Sequence, residues 1–332
     1  MDMTLAKEFA NKTILVIGDV MIDSYIWGKV ERISPEAPVP IVEVERRENR
    51  LGGAANVALN IKSLGAKPIL VSVLGRDDKY DVFLKLLEDH NLSKEGILQT
   101  SEERKTTVKF RVIGNNVQLL RVDEESTHDI DSKDTFSLLE RVKFLFDTKK
   151  IDAIIFQDYD KGILTSDVID NVIQIAQANT CPILVDPKKK HFFQYKNVTL
   201  FKPNFKEFKE ALNKPLTKEI PQLIEEIKVF RQKQGIKYFL LTLGENGMLI
   251  SYDENKEEKY EHIPSEVRQV ADVSGAGDTV IAVSALGLAS GLDPVTTARL
   301  SNIAAGIVCE YVGVVPVNPD RFYKKVFEYY GL

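Results

Sequence analysis

The sequence predicts an α/β fold, in which a mostly parallel central sheet carries helices on both faces and a small β lid projects from it. Short apolar runs alternate with helical patterns along the chain, which is typical of parallel strands buried on both faces. Two segments, at about residues 24–48 and 105–121, instead alternate apolar with polar residues and have no helical partner. These segments are predicted to form the lid of a single domain, residues 1–332.

The elements of the main sheet are predicted from apolar periodicity and from the residues that end each run. Helices are predicted at residues 54–64, before Gly65, and at 83–87, 279–289 and 296–311. Buried strands are predicted at residues 14–17, 69–74, 153–156, 183–185, 200–202 and 238–243, and the last turns at Glu245-Asn246 into a strand at 247–252.

Polar and glycine residues collect where the predicted strands end. In an open α/β sheet, ligands bind in the crevice beyond the carboxyl ends of the strands. These residues therefore predict a ligand site at that edge of the sheet. The residues concerned are Gly18, Asp19, Gly75, Asp158, Asp186, Asn204, Thr242 and Gly244.

The most informative segment is residues 272–278, Asp-Val-Ser-Gly-Ala-Gly-Asp, which stands directly before the apolar helix predicted at 279–289. Its two glycines leave backbone N–H groups open where a helix begins, and a helix N-terminus carries roughly +0.5 of a charge. A carboxylate there is unsuited to anion binding. It is suited to take a proton from a hydroxyl while the backbone holds a phosphoryl group. Phosphoryl transfer to an alcohol, with Asp278 as the base, is therefore the first hypothesis.

Two further groups near the start of the chain allow two interpretations each. Gly52 and Gly53 open a helix, and Asn56 on its first turn could bind a polyol; tight packing of helix on sheet explains the same glycines. Asp19 and Asp23 follow the first strand, where their carboxylates could accept bonds from sugar hydroxyls or cap a turn.

Asn204 and Glu207 also have two interpretations. An asparagine followed three residues later by glutamate is a capping box, which explains both residues without a ligand. The same oxygens could lie near a hydrated Mg²⁺ ion, since this ion prefers oxygen ligands and keeps several waters. From the sequence alone the cap is favoured.

Basic residues in the predicted lid or near the strand ends are candidates for binding a phosphorylated substrate. Solvation on the protein surface is the plainer interpretation of each of them. The candidates are Lys109, Arg111, Arg121, Lys161 and Lys188.

Composition and motifs exclude several classes of protein. The net charge of −5 and the pI of about 5.6 argue against nucleic acid as a partner. No Walker-type phosphate loop, dinucleotide fingerprint or metal-type histidine spacing is present in the sequence. The two cysteines form no disulfide framework, and no run is apolar enough for a signal peptide or a membrane span. A cytoplasmic protein that does not bind membranes is expected.

The two glycine motifs, residues 52–56 and 272–278, resemble the two signatures of the ribokinase-like, or PfkB, carbohydrate kinases, in the same order and at a similar separation. The resemblance extends along nearly the whole chain. Residues 18–23, 32–40, 158–162, 185–188 and 202–204 resemble more closely the D-glycero-D-manno-heptose-7-phosphate kinases. This implies ATP-dependent phosphorylation of the C1 hydroxyl of the sugar phosphate, giving heptose 1,7-bisphosphate for ADP-heptose and lipopolysaccharide synthesis.

The resemblance also implies roles for individual residues. Asp278 would be the base, and the N–H groups of Gly275, Ala276 and Gly277 would form the anion hole. Asp19, Asp23, Gly53 and Asn56 would face the sugar, with Gly52 beside them. Asn204 and Glu207 would belong to a magnesium and phosphate element, and Asp272 would help to hold a monovalent cation such as K⁺. The residues along the nucleotide would be Lys188, Thr242, Gly244, Gly247 and, near the adenine, Asn302.

Other functions remain open at this point. One is a PfkB-type kinase of another sugar, such as ribose or fructose, and another is a sugar or nucleotide sensor without catalysis. The alternating apolar residues of the lid predict a homodimer that forms through it. Many relatives carry a nucleotidyltransferase domain after the kinase, and this activity is expected to be absent from a chain that ends at residue 332.

Overall fold

A computed structural model describes residues 4–101, 103–255, 257–266 and 270–330. Its strands fall into two sheets, and its helices surround the larger one. The strands are β1 (Thr13–Gly18), β2 (Val20–Ile33), β3 (Pro40–Gly53), β4 (Lys67–Leu74), β5 (Ile97–Gln99), β6 (Val108–Gly114), β7 (Val117–Glu124), β8 (Ala153–Gln157), β9 (Ile183–Asp186), β10 (Leu200–Phe201), β11 (Tyr238–Thr242), β12 (Met248–Glu254) and β13 (Glu257–Ile263). The α-helices are α1 (Thr4–Ala10), α2 (Ala54–Ser63), α3 (Asp78–Asp89), α4 (Ser132–Thr148), α5 (Ser166–Ala178), α6 (Phe205–Leu212), α7 (Ile220–Gln234), α8 (Ala276–Ala289), α9 (Pro294–Val308) and α10 (Pro319–Tyr330).

The larger sheet has nine strands in the order β13-β12-β11-β10-β9-β8-β1-β4-β5. Every pairing in it is parallel except β11 with β12 and β12 with β13. The predicted hairpin is therefore confirmed, and its turn is a short 3₁₀ segment, Gly244–Asn246. The edge strands β5 and β13 were not predicted, because β5 is only three residues long and β13 is rich in charged residues.

Helices cover both faces of this sheet, as the uninterrupted apolar runs predicted. Successive residues of β1 point to opposite faces: Ile14 and Val16 pack in one core with α2, α8 and α9, and Leu15 and Ile17 pack in the other with α4, α5 and α7. Helix α8 is largely apolar on all sides, and most of it is accordingly buried. Its first turn is thereby fixed against the sheet edge.

The lid is a separate four-stranded sheet in the order β3-β2-β6-β7. Asn115 and Asn116 turn β6 into β7 with positive φ angles of 52° and 65°, as the sequence predicted for this hairpin. The first lid segment, predicted at 24–48, is longer at both ends in the structure. Strand β2 begins at Val20 and β3 ends at Gly53, because Val20 and Met21 pair with Gly53 and Gly52. The second lid segment, predicted at 105–121, forms strands only from 108 onwards and continues to 124.

None of the helices in the described part of the chain is both long and apolar enough to cross a lipid bilayer.

Candidate active site

Asp278 lies on the first turn of α8, at the carboxyl-terminal edge of the large sheet. Gly275, which has a left-handed backbone with φ of 80°, caps the helix and sets its direction. The Asp278 side chain is only 3% exposed. The base predicted from the sequence is therefore a buried carboxylate at the N-terminus of a buried helix.

Three neutral donors hold the Asp278 carboxylate. Asn56 Nδ2 donates to Oδ2 at 2.8 Å, while the Tyr159 hydroxyl at 2.7 Å and Gln157 Nε2 at 3.1 Å both donate to Oδ1. Burial is the main cause that raises the pKa of Asp278 to about 6, and the nearby Asp186 adds to it, although the bonds from Asn56 and Tyr159 oppose the rise. A carboxylate with this pKa is ionised at neutral pH and is a stronger base than an exposed aspartate.

The glycines of the motif allow close approach around Asp278. A Cβ atom at Gly275 would lie 2.9 Å from Asn56 Nδ2, and one at Gly277 would lie 3.4 Å from Lys202 Nζ. The first amides of a helix have no partner within the helix, so they can meet an anion. The Ala276 amide, however, donates to the Val273 carbonyl at 3.2 Å, so the structure uses this N–H within a turn.

Two lysines lie near the base. Lys202 Nζ forms a buried ion pair with Asp186 Oδ2 at 3.0 Å. Lys188 pairs with Glu207, and its Nζ lies 5.3 Å from the centre of the Tyr159 ring. The Lys202 side chain is buried and that of Lys188 is partly buried, and both positive charges interact with the Asp278 carboxylate.

The capping box of α6 is confirmed. Asn204 Oδ1 accepts from the Glu207 amide at 2.9 Å, and Glu207 Oε2 accepts from the Asn204 amide at 2.8 Å. With Lys188 on its other oxygen, Glu207 has both carboxylate oxygens engaged. Among the described residues there is no group of three or more histidine, cysteine, aspartate or glutamate side chains that could hold a metal ion. These residues therefore fit a magnesium ion only through its waters.

Asp19 caps a turn, which is one of the two roles that the sequence allowed. Its carboxylate accepts from the backbone amides of Tyr159 at 2.8 Å, Lys161 at 3.1 Å and Ile163 at 3.2 Å. Burial raises its pKa although these bonds oppose the rise. Asp19 thereby orients the turn that places Tyr159 against Asp278.

Asp23 belongs to the lid and forms an ion pair with an arginine. It lies in β2, is buried, and forms an ion pair with Arg111 of β6. A Cβ atom at Gly52 would lie 2.2 Å from Asp23 Oδ2, so only glycine leaves room for this carboxylate. Gly53 has a positive φ of 60° and ends the strand before α2. Local geometry at the end of strand β3, rather than in helix α2, therefore explains why both residues are glycine.

The other basic candidates are paired with acids of the lid. Lys109 Nζ lies 3.1 Å from Asp123 Oδ2 and Lys161 Nζ lies 2.7 Å from Glu125 Oε1. Arg121 pairs with Asp123 at 3.0 Å, and its side chain is 52% exposed. Lys109 Nζ also lies 3.6 Å from Glu125 Oε2, so Lys109 and Lys161 both contact Glu125, whereas Arg121 is more exposed.

The residues predicted along the nucleotide differ in their surroundings. Thr242 pairs with Asn204 in an isolated bridge, and Gly244, with φ of 65°, faces open space. Gly247 is needed for a tight turn, because a Cβ atom there would lie 2.0 Å from the Ile263 carbonyl oxygen. Asn302 Nδ2 donates to the Pro264 carbonyl at 2.7 Å.

Asp272 braces a turn that also touches the lid. Its carboxylate accepts from Ser274 and, at 2.9 Å, from the Gly313 amide. The next amide, of Val314, donates to the Tyr25 hydroxyl of β2 at 3.1 Å. The role of Asp272 in cation binding stays a prediction.

Three residues that touch Asp278 or its neighbour Asp186 were not among the predicted site residues. Gln157 and Tyr159 flank the predicted strand-end residue Asp158, and Lys202 lies at the end of β10. The signal that could have found them is the one that found Asp158, namely position at the carboxyl end of a strand.

Solved structures of a phosphofructokinase and a ribokinase share this fold. The chain superposes on Escherichia coli phosphofructokinase-2, in complex with substrates and products, with a TM-score of 0.79 and 18% identity over 97% of this chain and 100% of that one. For Arabidopsis thaliana ribokinase complexed with ribose and ATP, the TM-score is 0.71 and the identity 17%, over 94% and 98% of the two chains. At these identities the likeness confirms the ribokinase-like fold alone.

Curated relatives are more similar in sequence. The chain is 39% identical over 326 residues to bifunctional protein HldE of Caulobacter sp. (strain K31), covering 97% of this chain and 64% of that protein. It is 40% identical over 311 residues to bifunctional protein HldE of Caulobacter vibrioides, covering 93% and 62%. The chain thus spans less than two thirds of the length of these relatives.

A family model described as pfkB family carbohydrate kinase matches residues 11–321. Since this is almost the whole chain and includes both glycine motifs and Asp278, the chain belongs to the pfkB family of carbohydrate kinases.

Proposed function

We propose that this chain transfers the γ-phosphoryl group of ATP to the C1 hydroxyl of D-glycero-D-manno-heptose 7-phosphate, giving heptose 1,7-bisphosphate for ADP-heptose synthesis. Kinases of the pfkB family use ATP. The observation that carries the proposal is the buried Asp278 carboxylate at the glycine-rich start of α8. The choice of sugar is supported by the heptose-kinase-like segments and by the relatives named HldE.

The geometry around Asp278 favours one oxygen as the proton acceptor. Among the described residues, Oδ1 already accepts two hydrogen bonds, whereas Oδ2 accepts only the one from Asn56. Oδ2 therefore takes the proton of the sugar hydroxyl as that oxygen attacks the γ-phosphorus. The bond from the γ-phosphorus to the bridging oxygen breaks, and the electron pair leaves with ADP.

Charge on the transferring group is stabilised by nearby donors. The Gly275 and Gly277 amides at the start of α8, together with Lys202 and Lys188, supply positive potential beside Asp278. Through bound waters, Asn204 and Glu207 would hold a Mg²⁺ ion, which neutralises phosphate charge when it is bound.

A panel of acceptors tests the proposal. Purified chain is incubated with ATP and, in turn, heptose 7-phosphate, ribose, fructose and fructose 6-phosphate, and ADP release is followed by a coupled assay. The proposal predicts the highest kcat/KM for heptose 7-phosphate. If another sugar gives a higher kcat/KM, that sugar is the substrate instead of heptose 7-phosphate. If no sugar leads to ADP release, the chain is better explained as a sensor.

A second candidate is a kinase of an uncharged sugar. Lys109, Lys161 and Arg111 all form ion pairs with carboxylates, so their charges are already compensated without a substrate phosphate. The same panel separates this candidate from the first.

Turnover is expected to fall as the pH drops through about 6. The pKa of Asp278 is raised to about 6, mainly by burial, and the group must be ionised to accept a proton. Below this pKa, kcat/KM should decrease about tenfold per pH unit. Measurement from about pH 5 to about pH 8 checks this, and a flat profile through the window would contradict it.

Replacing Lys161 with methionine is expected to raise the KM for heptose 7-phosphate about tenfold, which is the size of one lost charge-assisted hydrogen bond. The KM for ATP should change little. Lys149→Met is the matched control, because Lys149 pairs with Glu95 at 2.6 Å on the surface. Equal changes in both KM values would show that Lys161 does not bind the sugar phosphate.

The lid is proposed to form a homodimer with the lid of a second copy. On one of its faces, Phe110 stands beside Val122 and Val112 beside Leu120, in register across β6 and β7. Leu120 is 55% and Val122 46% exposed, which a monomer would leave in water. An apolar partner face of the same kind would cover them.

The double substitution Leu120→Asp with Val122→Asp is expected to convert the dimer into a monomer, because it places charges in the apolar interface. Light scattering at micromolar concentration measures the mass. Phe144→Asp is the control, since Phe144 is also exposed but lies on α4. A native chain that is itself monomeric would refute the proposed dimer.

A further inference from the structure

Gln157 forms a bridge between two buried carboxylates. It is the last residue of β8 and is 1% exposed. Its Nε2 atom donates to Asp278 Oδ1 at 3.1 Å and to Asp186 Oδ2 at 3.1 Å. An amide NH₂ group has two hydrogens, so this contact uses both of them.

The two carboxylates determine which way the amide faces. Asp186 and Asp278 can only accept when they are ionised, so the nitrogen of Gln157 must face them. Its Oε1 atom, by contrast, has no hydrogen-bond partner among the described residues. Burying an unpaired amide oxygen costs free energy. Because of this cost, a contribution to stability alone does not explain why residue 157 is glutamine.

The bridge continues across neighbouring strands. Gln157 and Asp186 are register partners at the ends of β8 and β9, and Asp186 is held by Lys202, which follows β10. The base is thus connected through Gln157 and Asp186 to a buried lysine. Without the amide hydrogens between them, two buried carboxylates would face each other and repel.

The groups around Asp278 come from helix α2 and from the ends of strands β8, β9 and β10. Helix α2 contributes the neutral Asn56, and Tyr159 follows β8. The charged groups are Asp186 at the end of β9, Lys188 after β9 and Lys202 after β10. Among all of these, Gln157 alone bonds to both Asp278 and another charged side chain.

We infer that Gln157 is a positioning residue for phosphoryl transfer. It holds Asp278 through Oδ1, which turns Oδ2 toward the acceptor hydroxyl, and it separates the base from Asp186. This inference rests on the proposed role of Asp278 but not on the identity of the sugar.

The test uses Gln157→Met, which keeps the length and removes both donors, and Gln157→Glu, which keeps the shape and adds a carboxylate. With the best acceptor of the native chain, Gln157→Met is expected to lower kcat about 10- to 100-fold with little change in the KM for ATP. The acid limb of kcat/KM should move up by about one pH unit, and further in Gln157→Glu. Gln194→Met is the control, because Gln194 makes a similar bond to Asp170 at 2.7 Å on the surface.

A second readout does not depend on activity. Without the amide bridge, the folded state should hold a proton between Asp186 and Asp278 to a higher pH. The loss of thermal stability in Gln157→Met, relative to the native chain, should therefore grow from about pH 5 to about pH 8. The positioning role would be overturned if the loss of thermal stability in Gln157→Met did not depend on pH, or if its kcat and the acid limb of its kcat/KM profile were unchanged. A native chain without kinase activity would reject the proposed function, and the growing stability loss would still show whether the bridge exists.

Discussion

Replacement of Asp278 with asparagine is expected to lower kcat by about three orders of magnitude, within the range that general base catalysis contributes. The amide cannot accept the hydroxyl proton, because its nitrogen has no free lone pair for a base. The fold should persist, because Asn Oδ1 can still accept from Tyr159 and Gln157, although Nδ2 would lose the bond from Asn56 Nδ2. Steady-state kinetics, with ATP binding measured separately, check both parts of this result.

Asp134→Asn is the matched control for this experiment. Asp134 is also a buried aspartate in the third position of a helix, α4, where it accepts from Thr100 and Ser101. It lies outside the proposed site, so its substitution should affect stability and leave kcat nearly unchanged. Turnover of Asp278→Asn within about tenfold of the native value would remove Asp278 as the base.

Gly275→Ala is expected to lower kcat about 100-fold, similar to the loss of one oxyanion donor. The added Cβ would lie 2.9 Å from Asn56 Nδ2, the group that holds Asp278 Oδ2. A φ angle of 80° is also strained for alanine, which should cost about 1 kcal/mol of stability. Denaturant unfolding measures the stability, and initial rates measure kcat.

Gly291→Ala separates the two effects. Gly291 has nearly the same backbone, with φ of 78°, but open space surrounds the position of its Cβ. Both variants should lose the stability that a positive φ costs alanine, Gly275→Ala should lose more because of the contact with Asn56, and only Gly275→Ala should lose turnover. Equal kcat values for the two variants would show that crowding at Asn56 has no part in catalysis.

Patterns that are local in sequence predicted the parts of the site that are local in structure. The glycine-rich start of α8 could be identified because seven consecutive residues carry it. The capping box of Asn204 and Glu207 is likewise a contact over three residues. In both cases the physical cause, open helix amides, acts within one turn.

Contacts that depend on the register of parallel strands could not be predicted in this way. Gln157 and Tyr159 lie more than 100 residues before Asp278 in the chain, and they meet it because β8 and β9 end at the same edge as the start of α8. Asp19 illustrates the same limit. Whether its carboxylate would meet a sugar or the 159–163 turn depended on the pairing of β1 with β8.

The extent of the lid was also hidden from sequence patterns. Gly52 and Gly53 are poor strand formers, so they indicated a helix start, yet they pair with Met21 and Val20 at the end of β3. The close packing of Gly52 against Asp23 explains why glycine is found in that strand.

Phosphorylation at C1 with Asp278 as the base is tested most directly by ³¹P NMR of the products that the native chain and Asp278→Asn form from ATP and heptose 7-phosphate. If Asp278 is the base, the native chain should give ADP and an equal amount of a new phosphate ester coupled to the anomeric proton, and the variant should give almost none. ADP accompanied only by inorganic phosphate, or equal ester formation by both proteins, would contradict this prediction.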